Sequence, residues 1–299
     1  MEKRHRRSTM LFSLLFLLML VIAVGSFIFG VKIGVNKTED RYKSDQEAAA
    51  VLKTAAPASQ QDLVSFYNTV FLPYSEFQTK WLESERALSQ GKLTKSESAF
   101  TKLAKLAKQQ YVEAGTVNMQ NIQLLGSAQT SYLRSLKLFG QAAEEAAAHA
   151  KKLKNADLSA SIAADVNYKT AIKQQLAAQQ LFYDGMLQWN ASVDSSIPAH
   201  YSYNPNMKLA AWNKLPLIVK NKLMADQLKS VNALTEFYPQ DLASRIDALV
   251  KGGQAAKLKL VTLSDAIHLL SDTNAVRSGD YDSSKTKLYA GEQLPVPFS

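Results

Sequence analysis

The chain has 299 residues, 46% hydrophobic and 20% charged, a composition of globular rather than disordered proteins. It contains no cysteine, which excludes a disulfide-stapled scaffold and a cysteine-ligated zinc site. A formal net charge of +9 favours anionic surfaces such as phospholipid headgroups, wall polymers or nucleic acid, and says nothing of fold.

Residues 1–7, MEKRHRR, form a short basic segment, and no charged residue follows over positions 8–31. That run would make about 36 Å of helix, enough to cross a hydrocarbon core of roughly 30 Å. It is longer than the apolar part of a cleaved signal peptide, and FIFGVKIG at 27–34 offers no A-x-A site. Residues 8–35 therefore read as an uncleaved single-pass anchor in the lipid bilayer. Lys3, Arg4, Arg6 and Arg7 are packed more densely than Lys32, Lys37, Arg41 and Lys43 beyond the run. This contrast puts the amino-terminal side in the cytoplasm and the body outside it. Ser26, Gly30 and Gly34 fall four apart and make a candidate dimer face, against the plainer reading of ordinary small-residue frequency in membrane helices.

Residues 36–57 read as a stalk closed by Pro57, and 58–196 as a long-helix bundle. Ser59 is a natural N-cap with Asp62 in the first turn. Its helix runs through Phe66, Val70, Phe77 and Trp81 to about Ser89, kinked at Pro73 and closed by Gly91. Thr94-Lys-Ser-Glu97 matches a capping box for the next helix. Ile122, Leu125, Tyr132, Leu136 and Phe139 then recur at helical steps, continued by Ala143, Ala146 and Ala150. Gly115 is a break point; without it one helix would cover 94–153. A turn at 154–157, with Asp157 as cap, leads to a stripe of Ile162, Val166, Ile172, Leu176, Met186 and Val193.

SSIPAHYSYNPN at 195–206 is a loop, and 197–277 holds shorter helices packed on the bundle. Pro216 and Pro239 suit N1 positions. Leu223, Leu228, Val231 and Leu234 mark one helix, Leu242, Ile246 and Leu249 the next, closed by Gly252-Gly253. Leu260, Leu263, Ile267 and Leu270 mark a last one. KLKLV at 257–261 is the only strand-like alternation, and its wider window favours helix. Residues 278–299 form an irregular tail, either a strap across the bundle or disordered. The fold class is all-α: a transmembrane helix followed by an elongated multi-helix bundle with long antiparallel helices.

In TKLAKLAKQQY at 101–111, Leu103, Leu106, Ala107, Phe100, Tyr111 and Ala104 share an arc opposite Lys95, Lys102, Lys105 and Lys108. A core-facing helix with a solvated lysine face is the first reading; contact of those lysines with anionic lipid or a wall polymer is the second. No H-E-x-x-H, G-x-S-x-G or Walker pattern occurs, so no catalytic residue, cofactor or metal is assigned. Asp272, Asn274, Asp280 and Asp282 lack the glycine and terminal Glu of an EF-hand. Tyr183, Trp189, His200, Tyr201, Tyr203 and Trp212 form a candidate ligand or partner surface, weighed against an aromatic plug where helices diverge. Scattered lysines without a reading motif argue against nucleic acid. The expected function is an extracytoplasmic, non-enzymatic binding or scaffolding domain of the cell envelope, with a homodimer or another envelope protein as partner. The alternative is a ligand-sensing or regulatory ectodomain working through a membrane partner.

Overall fold

The computed structural model describes residues 57–292 and 294–298. The anchor and stalk expectations, with the Ser26, Gly30 and Gly34 face, lie outside the described residues. What is described is all-helical. In chain order come α1 (Gln60–Phe66), a π-helical turn (Tyr67–Phe71), α2 (Leu72–Ser89), α3 (Ser96–Ala114), α4 (Leu125–His149), α5 (Asn155–Ala164) and α6 (Val166–Val193). Then follow α7 (Leu209–Trp212), α8 (Leu217–Val231), α9 (Pro239–Lys251), α10 (Gln254–Lys257), α11 (Leu263–Asp272) and α12 (Asp280–Leu288). Among the described residues no helix is long and apolar enough to cross a membrane.

Ser59 caps α1 as expected: its Oγ accepts the Asp62 amide, and Asp62 accepts the Ser59 amide at 2.9 Å. Pro73 produces more than a kink. It has no N–H for the carbonyl four residues back, and its ring crowds that turn. The chain widens just before it, and the Leu72 amide bonds the Tyr67 carbonyl five residues earlier. This wider turn buries both Tyr67 and Phe71, stacked at 5.6 Å. At the far end of α2, Gly91 takes φ +69°. The Gly91 and Lys92 amides bond the Leu88 and Ala87 carbonyls, the paired bonds of a Schellman motif.

The Thr94–Glu97 capping box does not form. α3 starts at Ser96, with Lys95 as its cap and no side-chain cap bond. Ser96 Oγ bonds the Leu93 carbonyl and Asn155, Asn155 Nδ2 bonds the same carbonyl, and Glu97 faces Lys151 at 3.4 Å. Contacts from α5 and from Lys151 just past α4 thus outweigh a local cap worth about 1 kcal/mol. Gly115 does end α3, so 94–153 is two helices, and Ile122 lies in the connector between them. Asp157 is not a cap either; α5 opens at Asn155 behind Lys154. The stripe expected over 162–193 is interrupted at Asp165, which is extended and caps α6 by accepting the Tyr168 amide at 2.6 Å. Val166 and Val193, the two ends of α6, lie exposed, while Ile172, Leu176 and Met186 of the stripe are buried.

Further along, Pro239 takes N1 of α9 while Pro216 sits one residue ahead of α8 as its cap. Residues 258–262 are not helical: Leu209 N bonds Val261 O and Leu263 N bonds Met207 O, around an isolated antiparallel bridge of Lys208 with Thr262. The irregular tail is also corrected. Residues 280–288 form α12, with Asp280 and Asp282 in its first turn and Lys285 and Lys287 in its last, the order the helix dipole favours. Only the segment after it is a strap.

The core is built on α4, which lies between α3 and α6 and runs antiparallel to both. Glu97 at the start of α3 meets Lys151 just past α4, and Phe139 packs on Tyr168 at 5.9 Å while Leu125 reaches Gly185. The rod of α1, π turn and α2 presents Phe66, Tyr74, Phe77 and Trp81 to this layer. Tyr74 meets Tyr132 at 4.5 Å and Trp81 meets Phe139 at 4.8 Å. α8 packs on α6 and α9, and α9 carries α12.

Candidate functional site

The six aromatic and histidine positions singled out in the sequence do not make one surface. Tyr183 and Trp212 are wholly buried, Trp189, Tyr201 and Tyr203 are half-buried, and His200 is exposed. Tyr183 packs on Phe182 and Phe298 rather than on the loop rings. The loop over 195–206 is instead tied down through its backbone. Lys222 Nζ donates to the Tyr201 carbonyl at 2.8 Å and to Asp226 at 2.7 Å. Asp226 also accepts from Gln180 on α6. Nearby, burial pushes the Asp184 carboxyl up, offset in part by Lys222 and His200.

Lys95, Lys102, Lys105 and Lys108 are all exposed, while Phe100, Leu103 and Ala107 are buried against the bundle. A surface groove of about 430 Å³ runs beside them. Lys105, Lys108 and Lys151 line it together with Glu97 and Glu144, so its charge is mixed.

Trp212 belongs to a buried polar centre that periodicity could not reveal. Asp247 Oδ1 accepts Trp212 Nε1 at 2.7 Å and Lys220 Nζ at 2.9 Å, and Oδ2 accepts Lys220 Nζ at 2.8 Å and the Tyr289 hydroxyl at 2.7 Å. Lys220 is 2% exposed and Asp247 0%. The Lys220 ammonium also stands over the Trp212 ring at 5.5 Å. The arrangement is saturated with donors and closed to solvent, so it clamps α7, α8, α9 and the start of the strap together. Burial beside Asp247 raises the Tyr289 hydroxyl far above its ordinary range, keeping it a neutral donor.

The remaining constellation is an aromatic socket closed by the strap, described over 289–292 and 294–298. Phe298, 3% exposed, lies parallel to Tyr183 at 5.7 Å and 4°. It is edge-on to Tyr67 at 5.5 Å and to Phe71 at 6.2 Å. The π turn supplies two walls, α6 the third. The Tyr183 hydroxyl donates to Gln240 Oε1 on α9. Burial pushes the Tyr183 hydroxyl up, so it donates as a neutral group. Burying one phenylalanine in this way is worth about 1.5–3 kcal/mol. Beside the socket lies a groove of about 420 Å³, lined by Gln60, Val64, Tyr281, Lys285 and Glu292 with strap residues 294–297. Chemically this is a recess for a flat ring, filled by Phe298, beside a groove of mixed polar and apolar lining that the strap itself helps to form.

A second titratable feature adjoins it. Asp241 on α9 accepts the Tyr238 and Tyr281 amides at 2.9 and 3.1 Å. Burial outweighs those bonds and pushes its carboxyl up to about 6, with Asp280 and Asp282 adding to the effect.

No family model matches the chain, and no curated protein or solved structure matches it. The socket was nonetheless partly visible in the sequence. Tyr183 belongs to the candidate surface read from the sequence, whose other members lie elsewhere, and the tail reads there as either a strap across the bundle or disordered. What joined them, Phe298 after Pro297, carries no periodic signal.

Proposed function

We propose that this chain is a single-pass membrane protein whose helical body stands outside the cytoplasm and binds or scaffolds other components of the cell envelope. The observation that carries the reading is the uncharged run over 8–31 behind Lys3, Arg4, Arg6 and Arg7. The body is consistent with it. Its apolar positions are mostly spent on its own core, and the large hydrophobics left exposed, such as Val112, Val166 and Val193, are scattered. Ser26, Gly30 and Gly34 would let two such anchors, or an anchor and a partner helix, approach closely.

The absence of cysteine makes the test clean. Single cysteines are introduced as Glu2→Cys and Lys105→Cys, and spheroplasts of an expressing host are treated with a membrane-impermeant maleimide. Lys105→Cys should label at once and Glu2→Cys only after lysis, with the chain staying in the membrane fraction through an alkaline wash. Labelling of Lys105→Cys only after lysis, or release by the wash, overturns the proposal. The second reading, a ligand-sensing ectodomain, is favoured by the strap-filled socket, which offers a recess that another molecule could take.

A further inference from the structure

We propose that the socket of Tyr67, Phe71 and Tyr183 is a peptide-binding site whose occupant in this structure is the chain's own strap, and that it accepts in trans an extended segment with an aromatic residue directly after a proline. The inference deepens the reading of the body as a binding domain and does not depend on which side of a membrane the body lies.

The geometry of the socket is that of a site for a ring. One wall is parallel to Phe298 and two meet it edge-on, the arrangements that favour aromatic pairs over simple apolar contact. The wall of Tyr67 and Phe71 comes from a π turn, a rare departure from the helix that frequently marks functional positions. Here it brings two rings to bear on one point.

The strap is held in a way that permits exchange. Among the described residues of 294–298 no hydrogen bond reaches the body. Phe298 N bonds the Val296 carbonyl within the strap, and Pro295 and Pro297 have no N–H to give. The hold lies at the two ends. Upstream, Glu292 accepts the Leu217 amide and Tyr289 donates to Asp247. Downstream, Phe298 is held by its ring contacts with Tyr67, Phe71 and Tyr183. A segment fixed by side chains can be replaced by another of like sequence without dismantling any backbone ladder. The prolines keep such a segment extended before it binds, which lowers the entropy lost on docking.

An attached strap competes at an effective concentration of roughly millimolar order, so a peptide in trans should bind the intact chain poorly. The test uses the chain in detergent micelles and a fluorescein-labelled peptide, EQLPVPFS, copied from residues 292–299, read by anisotropy. A chain ending at Ala290 should bind it saturably, at least tenfold more tightly than the wild-type chain. The same peptide with its phenylalanine replaced by alanine should not bind. A cooperatively melting truncated chain that shows no saturable binding, or that binds both peptides equally, overturns the proposal. Should truncation prevent folding, Phe298→Ala is put through the same titration and judged by the same outcomes. Hydrogen exchange on the wild-type chain is an independent measure. The amides of Leu294, Val296 and Phe298 should exchange at least a hundredfold faster than those of α6. Exchange of the strap at the α6 rate would mean it opens only with the whole fold, and the proposal fails.

Discussion

Asp247 shows how much of this protein rests on single side chains that no pattern reveals. It serves three donors from three different elements, and its charge is paired with Lys220. Asp247→Ala therefore leaves a buried ammonium, an indole N–H and a phenol without their acceptor. The expected loss is about 3–5 kcal/mol, the range for breaking a buried pair. Lys220→Met should cost less, because Asp247 keeps Trp212 and Tyr289 and because methionine fills similar space. Urea titrations of both variants check the order; equal losses would mean that the ion pair, and not the shared acceptor, dominates. Asp241 gives a prediction in pH. Its folded value of about 6 lies above the roughly 3.9 of an unfolded aspartate. Protonation thus favours the folded state: the stabilisation is full below about pH 4 and is lost as pH rises through about 6. Measured against Asp241→Asn, which does not titrate, the wild-type chain should lose on the order of 2 kcal/mol between pH 4 and 7. A difference that is flat with pH would show that the carboxyl is not held in this way.

At the scale of elements, helices were legible where a local signal agreed with the tertiary contacts and illegible where it did not. Ser59 and Asp62 form the expected cap, and among the described residues no other group bonds either side chain. Thr94 and Glu97 carry an equally good local signal, yet Lys151 and Asn155 draw the chain elsewhere. The connector over 115–124 was hidden for a different reason. Its order comes from Gln129, a polar residue inside α4, whose amide donates to Ala114 and Val117 carbonyls and accepts the Met119 amide. Leu124 closes the connector in a γ-turn, φ 64° and ψ −42°, with Leu125 N bonding Gln123 O. Few sequences announce that conformation, since only the surrounding contacts hold it. Gly126 makes the packing possible: a Cβ there would lie 2.8 Å from the Met119 carbonyl and 3.0 Å from Gln120 Cα. These are backbone atoms and cannot swing aside. Gly126→Ala should accordingly cost about 1–3 kcal/mol, the range for overpacking, despite the better helix propensity of alanine. Gly140→Ala is the control, because its nearest neighbour is the Ala107 methyl at an ordinary 3.6 Å. Thermal melts of the two should separate clearly.

For the whole molecule, the all-helical character of the described residues was legible because apolar periodicity is spread along the chain and survives local errors. The site was less legible, because a socket is made by residues far apart in the chain. Tyr67, Tyr183 and Phe298 meet only when α6 and the strap cross the π turn. Charge belongs to this largest scale too. Lys95, the cap of α3, and Lys102, Lys105 and Lys108 on that helix are exposed. Their substitution by glutamine should leave the melting temperature nearly unchanged, since exposed charges away from special contacts contribute within about ±0.5 kcal/mol each. The same change removes four of the positive charges behind a net +9. If this face meets anionic lipid or a wall polymer, association of the chain with vesicles rich in phosphatidylserine should weaken, and do so most at low salt. At physiological ionic strength the Debye length is about 8 Å, so only charges near the surface act. Wild-type association that is insensitive to both salt and the four substitutions would assign this face to solvent. The basic excess would then serve solubility rather than attachment.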